Sequence, residues 1–257
     1  MKKKDRSCTN IMLTLKSKAE IGKMRQAGEL LAQCHREIRK LIRPGISTLE
    51  IDRFVEGFLI KHGATPEQKG YQGFPFATCA SVNDVVCHGF PDRKPLAEGD
   101  IVGIDMVVNL NGWLADSCWS YPVGNVNAEA RKLLDITKKL LYKGIETAVV
   151  GNRIGDVSNI IQTSAEANGY SVVRDFTGHG IGRIMHEDPQ IPHFGSAGRG
   201  PRIKEGMVFT IEPMINAGSY DLTIDPSNGW TARTKDGRLS AQYEHTIAIT
   251  ENGQLIL

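Results

Sequence analysis

The pattern of hydrophobic and polar positions along the chain predicts four helices arranged as two pairs. Apolar residues recur every three to four positions after two capping boxes, Ser17-x-x-Glu20 and Ser47-x-x-Glu50. Such a pattern is typical of an amphipathic helix with a capped start. The predicted helices cover residues 17–43, 47–63, 127–148 and 154–168, and strands and loops cover 64–124 and 170–257.

The order of two helices followed by strands occurs twice, and the two halves align without gaps over short segments. The segment EGDIVGIDMVV, which contains Asp105, matches EGMVFTIEPMI, which contains Glu212. Residues 44–63 align in the same way on residues 150–169. We therefore predict an internal duplication, and a two-fold arrangement would bring Asp105 and Glu212 to one shared centre.

Composition and charge narrow the class of protein. The chain has 257 residues, 40% of them hydrophobic, and a net charge of +2 from 31 basic and 29 acidic side chains. This balance favours neither nucleic-acid nor membrane binding, and no apolar run is long enough to span a bilayer. The five cysteines form no C-x-x-C pair, which favours a reduced cytoplasm. Residues 1–12 are predicted to form a polar tail.

Two aspartates lie in a predicted hairpin. Asp105 sits inside the apolar run IVGIDMVV, and Asp116 follows the turn formed by Asn111 and Gly112. Asn-Gly is a strong hairpin signal. Pairing the strands about this turn places residue 105 opposite residue 118, with Asp116 diagonally across. Two neighbouring carboxylates repel each other unless a proton or a cation lies between them.

Two further acids and a histidine complete a candidate cluster. Glu212 precedes Pro213 and so ends its strand, and Glu244 lies in SAQYEHTIAI, which has strand composition. His179 lies between two glycines in GHGIGRIMHEDP, a segment without the H-E-x-x-H motif. A buried strand carboxylate requires a partner, and four acids with one imidazole predict two divalent metal ions. This oxygen-rich set favours Mn, Fe(II), Co or Zn, and the sequence does not choose among them.

The segments NDVVCHG, GDIVGID, GHGIGR, MHEDP, FTIEP and SAQYEHT resemble those of the type I methionine aminopeptidases, of the pita-bread metallopeptidase superfamily. The resemblance covers about residues 13–257. It implies an α+β pita-bread fold, with duplicated helices packed on a curved antiparallel sheet about a pseudo-two-fold axis. It also implies one catalytic domain over 13–257, with pseudo-repeats over about 13–124 and 125–257.

The resemblance also assigns ligands to the predicted metals. Asp105 would bind one metal, and His179 and Glu212 would bind the other. Asp116 and Glu244 would bridge both ions. The charge of Glu244 would then be balanced by two cations.

The same resemblance implies further site residues. His88 and His186 would contact substrate and the developing tetrahedral intermediate, and Glu212 would accept a proton. The methionine pocket would be formed by Tyr71, Phe74, Cys79, Met185 and Trp230. A monovalent cation would bind near Asn83, Val85 and Ser240.

The implied function is removal of the initiator methionine when the second residue is small, through attack of a water bridging the two metals. The substrate would be the N-terminus of a nascent polypeptide, at the ribosome, and the enzyme would be a monomer. Two departures affect the expected substrate preference: Gln72 replaces the histidine of many relatives, and Met185 replaces an aromatic residue.

Two alternatives are open. One is a proline-specific peptidase of the same fold, which usually carries a large additional N-terminal domain. Only about a hundred residues precede Asp105 here. The other is a pita-bread binding protein without activity, which typically lacks some ligands, whereas all five ligand positions are present in this chain.

Overall fold

The computed structural model describes residues 13–257, and the predicted tail over residues 1–12 lies outside the described residues. All four predicted helices are present, and their ends lie within a few residues of the predicted ones. They are α1 (Lys18–Leu41), α2 (Thr48–Lys61), α3 (Ala128–Thr147) and α4 (Ile154–Ala167). Within residues 13–257, no helix combines the length and the apolar character needed to cross a bilayer.

The two predicted capping boxes start α1 and α2. The Ser17 hydroxyl accepts a hydrogen bond from the Glu20 backbone N–H, and the Glu20 carboxylate accepts one from the Ser17 N–H, at 3.4 and 2.8 Å. Ser47 and Glu50 form the same reciprocal pair at 3.3 and 2.9 Å. Each cap stabilises its helix by about 1 kcal/mol, because the first N–H groups of a helix have no partner within it.

Fifteen strands form within the described residues, and every strand pair in the four sheets is antiparallel. They are β1 (Thr65–Pro66), β2 (Cys79–Val82), β3 (Val85–Cys87), β4 (Ile101–Leu110), β5 (Trp113–Pro122), β6 (Ser171–Val172), β7 (Gly178–Gly180), β8 (Glu187–Ile191), β9 (Val208–Ile211), β10 (Met214–Asn216), β11 (Leu222–Ile224), β12 (Ala232–Thr234), β13 (Ser240–Gln242), β14 (His245–Thr250) and β15 (Gly253–Ile256).

Equivalent pairings occur in the two halves of the chain. Strand β1 pairs with β4 through Thr65 and Asn109, as β6 pairs with β10 through Ser171 and Asn216. An isolated bridge joins residues 47 and 95 in the first half, and another joins residues 153 and 202 in the second. The paired residues of the first half correspond in the sequence alignment to the paired residues of the second half. The duplication is therefore present in the backbone structure as well as in the sequence.

Strand periodicity separates a face that packs on the helices from a face that lines a cavity. On β4, Ile104 and Met106 are buried in the core under α1 and α2, while Asp105 and Val107 line the cavity. On β9, Phe209 packs in the core under α3 and α4. Successive side chains of a strand point to opposite faces, which explains why a single acid in an apolar strand reaches the cavity.

The segment 240–249 does not form the single strand that its composition suggests. It is divided at Tyr243 and Glu244 into β13, which pairs with β10, and β14, which pairs with β9. The Glu244 N–H instead donates to the Cys118 carbonyl oxygen on β5, at 2.8 Å. The chain therefore changes sheets at this point, and the expectation of a continuous strand was wrong.

Candidate metal centre

The hairpin β4–β5 positions the two aspartates as the sequence predicts. Asp105 pairs with Cys118 across the hairpin, and Val107 pairs with Asp116. The turn residues Asn111 and Gly112 have φ angles of 55° and 78°, as a two-residue hairpin of this type requires. The two carboxyl groups therefore lie diagonally across one face of the hairpin.

Glu212 and Glu244 lie in two neighbouring segments, and the strand pairing of both segments is interrupted at these residues. Strand β9 ends at Ile211, and β10 begins at Met214 after the Glu212-Pro213 dipeptide. The facing segment breaks at Glu244, so that Met214 pairs with Gln242 on one side of the gap and Ile211 pairs with His245 on the other. The paired interruption places both glutamates at one gap between two sheets.

The glycines on both sides of His179 allow close packing around the imidazole. A Cβ atom on Gly178 would lie under 3.0 Å from the Thr210 carbonyl oxygen, and one on Gly180 would lie equally close to the Asp188 carbonyl oxygen. Only glycine permits these approaches. The two glycines therefore let neighbouring backbone pack closely on both sides of His179.

Replacement of Gly180 by alanine should lower the stability of the protein by about 1–3 kcal/mol, because the new methyl group meets backbone that cannot rotate away. Thermal unfolding measures the change. Gly57→Ala is the matched control, since no atom lies within 4 Å of the added Cβ in α2. It should raise stability by about 0.5–1 kcal/mol. Equal melting temperatures for Gly180→Ala and the parent would contradict the close packing.

The five predicted ligand residues converge on the floor of one cavity of about 670 Å³. His179 Nε2 lies 3.7 Å from Asp116 Oδ2 and 3.7 Å from Glu212 Oε1. Ligand atoms of Asp116, His179 and Glu244 all lie within 4.8 Å of one another. The cavity is lined by every residue predicted for the metals, the histidine pair and the methionine pocket: Tyr71, Phe74, Cys79, His88, Asp105, Asp116, His179, Met185, His186, Glu212, Trp230 and Glu244.

The four carboxyl groups resist ionisation in the absence of a cation. Burial raises the pKa of Asp105 to about 6 and the pKa of Glu212 to about 8. The pKa values of Asp116 and Glu244 are raised well above the ordinary range, mainly by burial and secondly by repulsion from the other carboxylates. Burial lowers the pKa of His179 to about 4, which leaves its imidazole neutral and able to bind a metal.

Three buried carboxyl oxygens in this cluster have no hydrogen-bond partner among residues 13–257: Asp105 Oδ1, Asp116 Oδ1 and Glu244 Oε1. Buried polar atoms without a partner cost about 1–3 kcal/mol each, so three in one cluster indicate an absent partner. An oxygen-rich set with one imidazole matches the ligand preference of divalent first-row metals. The residues therefore fit divalent metal binding.

Comparison with known proteins agrees with this chemistry. Residues 22–251 match metallopeptidase family M24. The methionine aminopeptidase of Clostridium perfringens is 53% identical over 247 residues, which cover 96% of this chain and 98% of that protein. The chain belongs to the methionine aminopeptidases of family M24.

Solved structures of family M24 proteins share the fold. The crystal structure of methionine aminopeptidase from Rickettsia prowazekii superposes with a TM-score of 0.94 at 44% identity, and the match covers 95% of this chain and 99% of that one. The prolidase from Pyrococcus furiosus matches with a TM-score of 0.77 at 25% identity, over 94% of this chain and 64% of that chain. The predicted pita-bread fold is confirmed.

In this methionine aminopeptidase family member, aromatic rings form one wall of the cavity beside the cluster of acids and His179. Phe74 and Trp230 meet edge to face at 5.2 Å, and His88 stands perpendicular to Trp230 at 5.9 Å. The His88 ring also contacts Phe176, edge to face at 5.1 Å. Burial lowers the pKa of His88 to about 4, so this imidazole is neutral.

His186 lies at the cavity mouth and contacts the cluster through the imidazole ring of His179. Its ring stands across His179 at a centroid distance of 4.3 Å. Its Nδ1 atom lies 2.9 Å from the Tyr71 hydroxyl, which accepts a hydrogen bond from Gln72 at 3.1 Å. Gln72 is therefore connected to His186 by two successive hydrogen bonds through the Tyr71 hydroxyl.

Several residues that orient the cluster were not identified from the sequence. Thr210 donates to Glu212 Oε1 at 2.8 Å and accepts from the His179 N–H at 3.0 Å. His193 Nε2 accepts from the Glu212 N–H at 3.0 Å. The i, i+2 spacing of Thr210 and Glu212 in a strand was a usable signal for the first contact, whereas His193 is close only through tertiary structure.

The residues expected at a monovalent cation lie outside the main cavity. The Asn83 carbonyl oxygen accepts from the Ser240 N–H at 2.8 Å, and Val85 begins β3 two residues later. The buried Ser240 hydroxyl has no hydrogen-bond partner in the described part of the chain. The structure thus brings the three residues into one region, and cation binding there stays a prediction.

Proposed function

We propose that the chain is a metal-dependent aminopeptidase that removes the N-terminal methionine from nascent polypeptides whose second residue is small. One observation carries the proposal: four carboxyl groups, those of Asp116, Glu212 and Glu244 buried, meet a neutral imidazole beside an aromatic pocket. Membership of the methionine aminopeptidases supports the same reading. All five ligand positions are intact, which argues against a non-catalytic binding protein.

The proposed ligands divide between two divalent ions, which would be Co, Mn, Fe(II) or Zn. Asp105 would hold one ion, His179 and Glu212 would hold the other, and Asp116 and Glu244 would contribute to both. Bound divalent ions lower the pKa of water and polarise a carbonyl group. The three unpartnered carboxyl oxygens support this assignment, since cations supply the partners that the protein lacks.

Glu212 is proposed to take up the proton released as water attacks the peptide carbonyl. A carboxylate positioned beside the attacking water can act as its general base. Thr210 and Gln242 fix its two carboxyl oxygens, at 2.8 and 3.4 Å. His186 and His88 would donate hydrogen bonds to the oxygen of the tetrahedral intermediate or to the leaving amine.

The aromatic wall is proposed to select methionine. Phe74 and Trp230 offer ring surfaces, and Met185 and the Cys79 thiol add soft sulfur atoms. An unbranched thioether packs well beside aromatic rings, whereas a branched or charged side chain has no matching surface or counter-charge. The second residue would lie beside the metals and His88, where space is restricted.

We expect Met-Ala-Ser to be hydrolysed with a kcat/KM at least about tenfold above that of Leu-Ala-Ser, because one lost thioether contact and a branched side chain together cost about 1–3 kcal/mol. Met-Lys-Ser and Ala-Pro-Ser should react poorly. The four peptides are compared on one preparation after loading in turn with Mn, Co, Fe(II) and Zn. Preference for Ala-Pro-Ser would support the proline-peptidase alternative, and no hydrolysis with any metal would support the non-catalytic one.

The cellular context is part of the proposal. The substrate would be met as the nascent chain leaves the ribosome, and the enzyme would act as a monomer. Four cysteines within residues 13–257 are free and buried, which suits a reduced cytoplasm: Cys34, Cys79, Cys87 and Cys118. A monovalent cation near Asn83, Val85 and Ser240 would stabilise the adjoining loop.

A further inference from the structure

Hydrogen bonds link three residues, Gln72, Tyr71 and His186, from the protein surface to the active-site cavity. Gln72 Nε2 lies 3.1 Å from the Tyr71 hydroxyl oxygen, and this oxygen lies 2.9 Å from His186 Nδ1. Both tyrosine and glutamine belong to one turn of 3₁₀ helix, Tyr71–Gly73. The chain thus connects an exposed loop to a ring that lines the cavity.

The Gln72 amide group determines the direction of both hydrogen bonds. An amide nitrogen can only donate, so Tyr71 accepts from Gln72. The single proton of the Tyr71 hydroxyl is then available for His186 Nδ1. A neutral imidazole that accepts at Nδ1 carries its proton on Nε2.

We infer that Gln72 and Tyr71 are positioning residues that set the tautomer of His186, so that its Nε2–H group is a hydrogen-bond donor inside the cavity. This inference rests on the proposed aminopeptidase function and extends it to the role of one histidine. A fixed donor is useful where negative charge develops on the substrate oxygen. It also excludes His186 from acting as a base through Nε2.

The backbone at Gln72 supports a role for its side chain. Gln72 has φ 47° and ψ 28°, a left-handed conformation that disfavours residues other than glycine. Gly70 and Gly73 in the same loop also have positive φ angles. Strain of this kind at a cavity mouth indicates a functional contact, here the hydrogen bond to Tyr71.

The loop is attached to the strand that carries Asp105, so the chain is held in place. Gln68 Oε1 accepts from the Val107 N–H at 2.8 Å, and the Tyr71 N–H donates to the Gln68 carbonyl oxygen at 3.1 Å. The Phe74 N–H closes the turn on the Tyr71 carbonyl oxygen at 2.9 Å. The position of the Tyr71 hydroxyl is therefore set by β4 rather than by a free loop.

Two substitutions at position 72 separate this role from packing. In Gln72→Glu the carboxylate only accepts, so the Tyr71 proton turns toward it and His186 changes to the Nδ1–H tautomer. We expect kcat on Met-Ala-Ser to fall about 10-fold to 100-fold, with KM changed less than about threefold. Gln72→Gly removes the donor without supplying an acceptor, so the Tyr71 proton is no longer directed to His186, and kcat should fall by a smaller factor, about threefold to 10-fold.

A role in packing alone predicts the opposite order, because glutamate is close in shape to glutamine and glycine removes the whole side chain. Ile184→Glu controls for the added charge: Ile184 is 64% exposed next to Met185 and does not line the cavity. It should keep kcat within about twofold of the parent.

The tautomer itself is read by NMR on the zinc-loaded, ¹⁵N-histidine-labelled protein, with the His186 signal assigned by its absence from His186→Gln. The parent should show the proton on Nε2, Gln72→Gly should show a mixture of the two tautomers, and Gln72→Glu should show the proton on Nδ1. A parent proton on Nδ1, an unchanged tautomer in Gln72→Glu, or a larger kcat loss in Gln72→Gly would each overturn the inference. If the parent does not cleave Met-Ala-Ser, the proposed function fails, and the NMR result still decides the tautomer.

Discussion

Replacement of Glu244 by alanine is expected to reduce hydrolysis of Met-Ala-Ser to the detection limit and to lower the number of metal ions bound per chain. Glu244 is almost completely buried, and its Oε1 atom has no partner among residues 13–257. It is proposed to contact both ions, so its loss removes a ligand from each. The change is measured by metal analysis after dialysis and by peptide hydrolysis.

The metal-free protein provides a second test of Glu244. Without cations, burial and repulsion from Asp116 disfavour its charged form. Glu244→Gln should therefore raise the stability of the metal-free protein, by about 1–3 kcal/mol, and reduce the stabilisation gained on metal addition. Glu251→Ala is the control, because Glu251 is exposed in the same C-terminal segment and forms its ion pair within residues 13–257 with Lys18. Normal turnover with a full metal complement in Glu244→Ala would refute the ligand assignment.

Replacement of His186 by alanine should lower kcat by about 10²–10⁴ while the metal content stays unchanged. His186 packs across His179 at 4.3 Å and is proposed to contact substrate rather than a metal. Its Nδ1 atom is already engaged by Tyr71. The expected loss is therefore a loss of hydrogen bonding to the reacting group.

Metal analysis and steady-state kinetics on the same sample distinguish these two roles. His62→Ala is a suitable control, because His62 is exposed at the end of α2 and outside the cavity. A fall in bound metal on His186→Ala would make His186 a ligand. An unchanged kcat would exclude it from the reaction.

The helices and one hairpin could be predicted from local sequence signals. The Ser17 and Ser47 capping boxes start their helices as predicted, because a cap satisfies backbone groups within four residues of itself. The Asn111-Gly112 turn fixes the register of β4 and β5 in the same way, since two residues with positive φ admit one hairpin geometry. The relation between Asp105 and Asp116 therefore needed no tertiary information.

The surroundings of Glu244 were not accessible in this way. The composition of SAQYEHTIAI favours one strand, yet the chain changes from β10 to β9 as its partner at this residue. The Cys118 carbonyl oxygen on β5 supplies the alternative partner for its N–H group. Such a break depends on which strands lie on either side of the segment, and the composition of the segment does not indicate its neighbours.

The sequence by itself determined the kinds of chemistry that this protein has available: acids inside apolar strands, a histidine between glycines, and a duplication that relates Asp105 to Glu212. These features are local or repeat along the chain. Only the tertiary structure decided that the acids share one cavity floor, that three of their oxygens have no protein partner, and that Gln72 reaches His186 through Tyr71. These contacts join residues far apart in sequence, and their geometry is set by the packing of the two halves against each other.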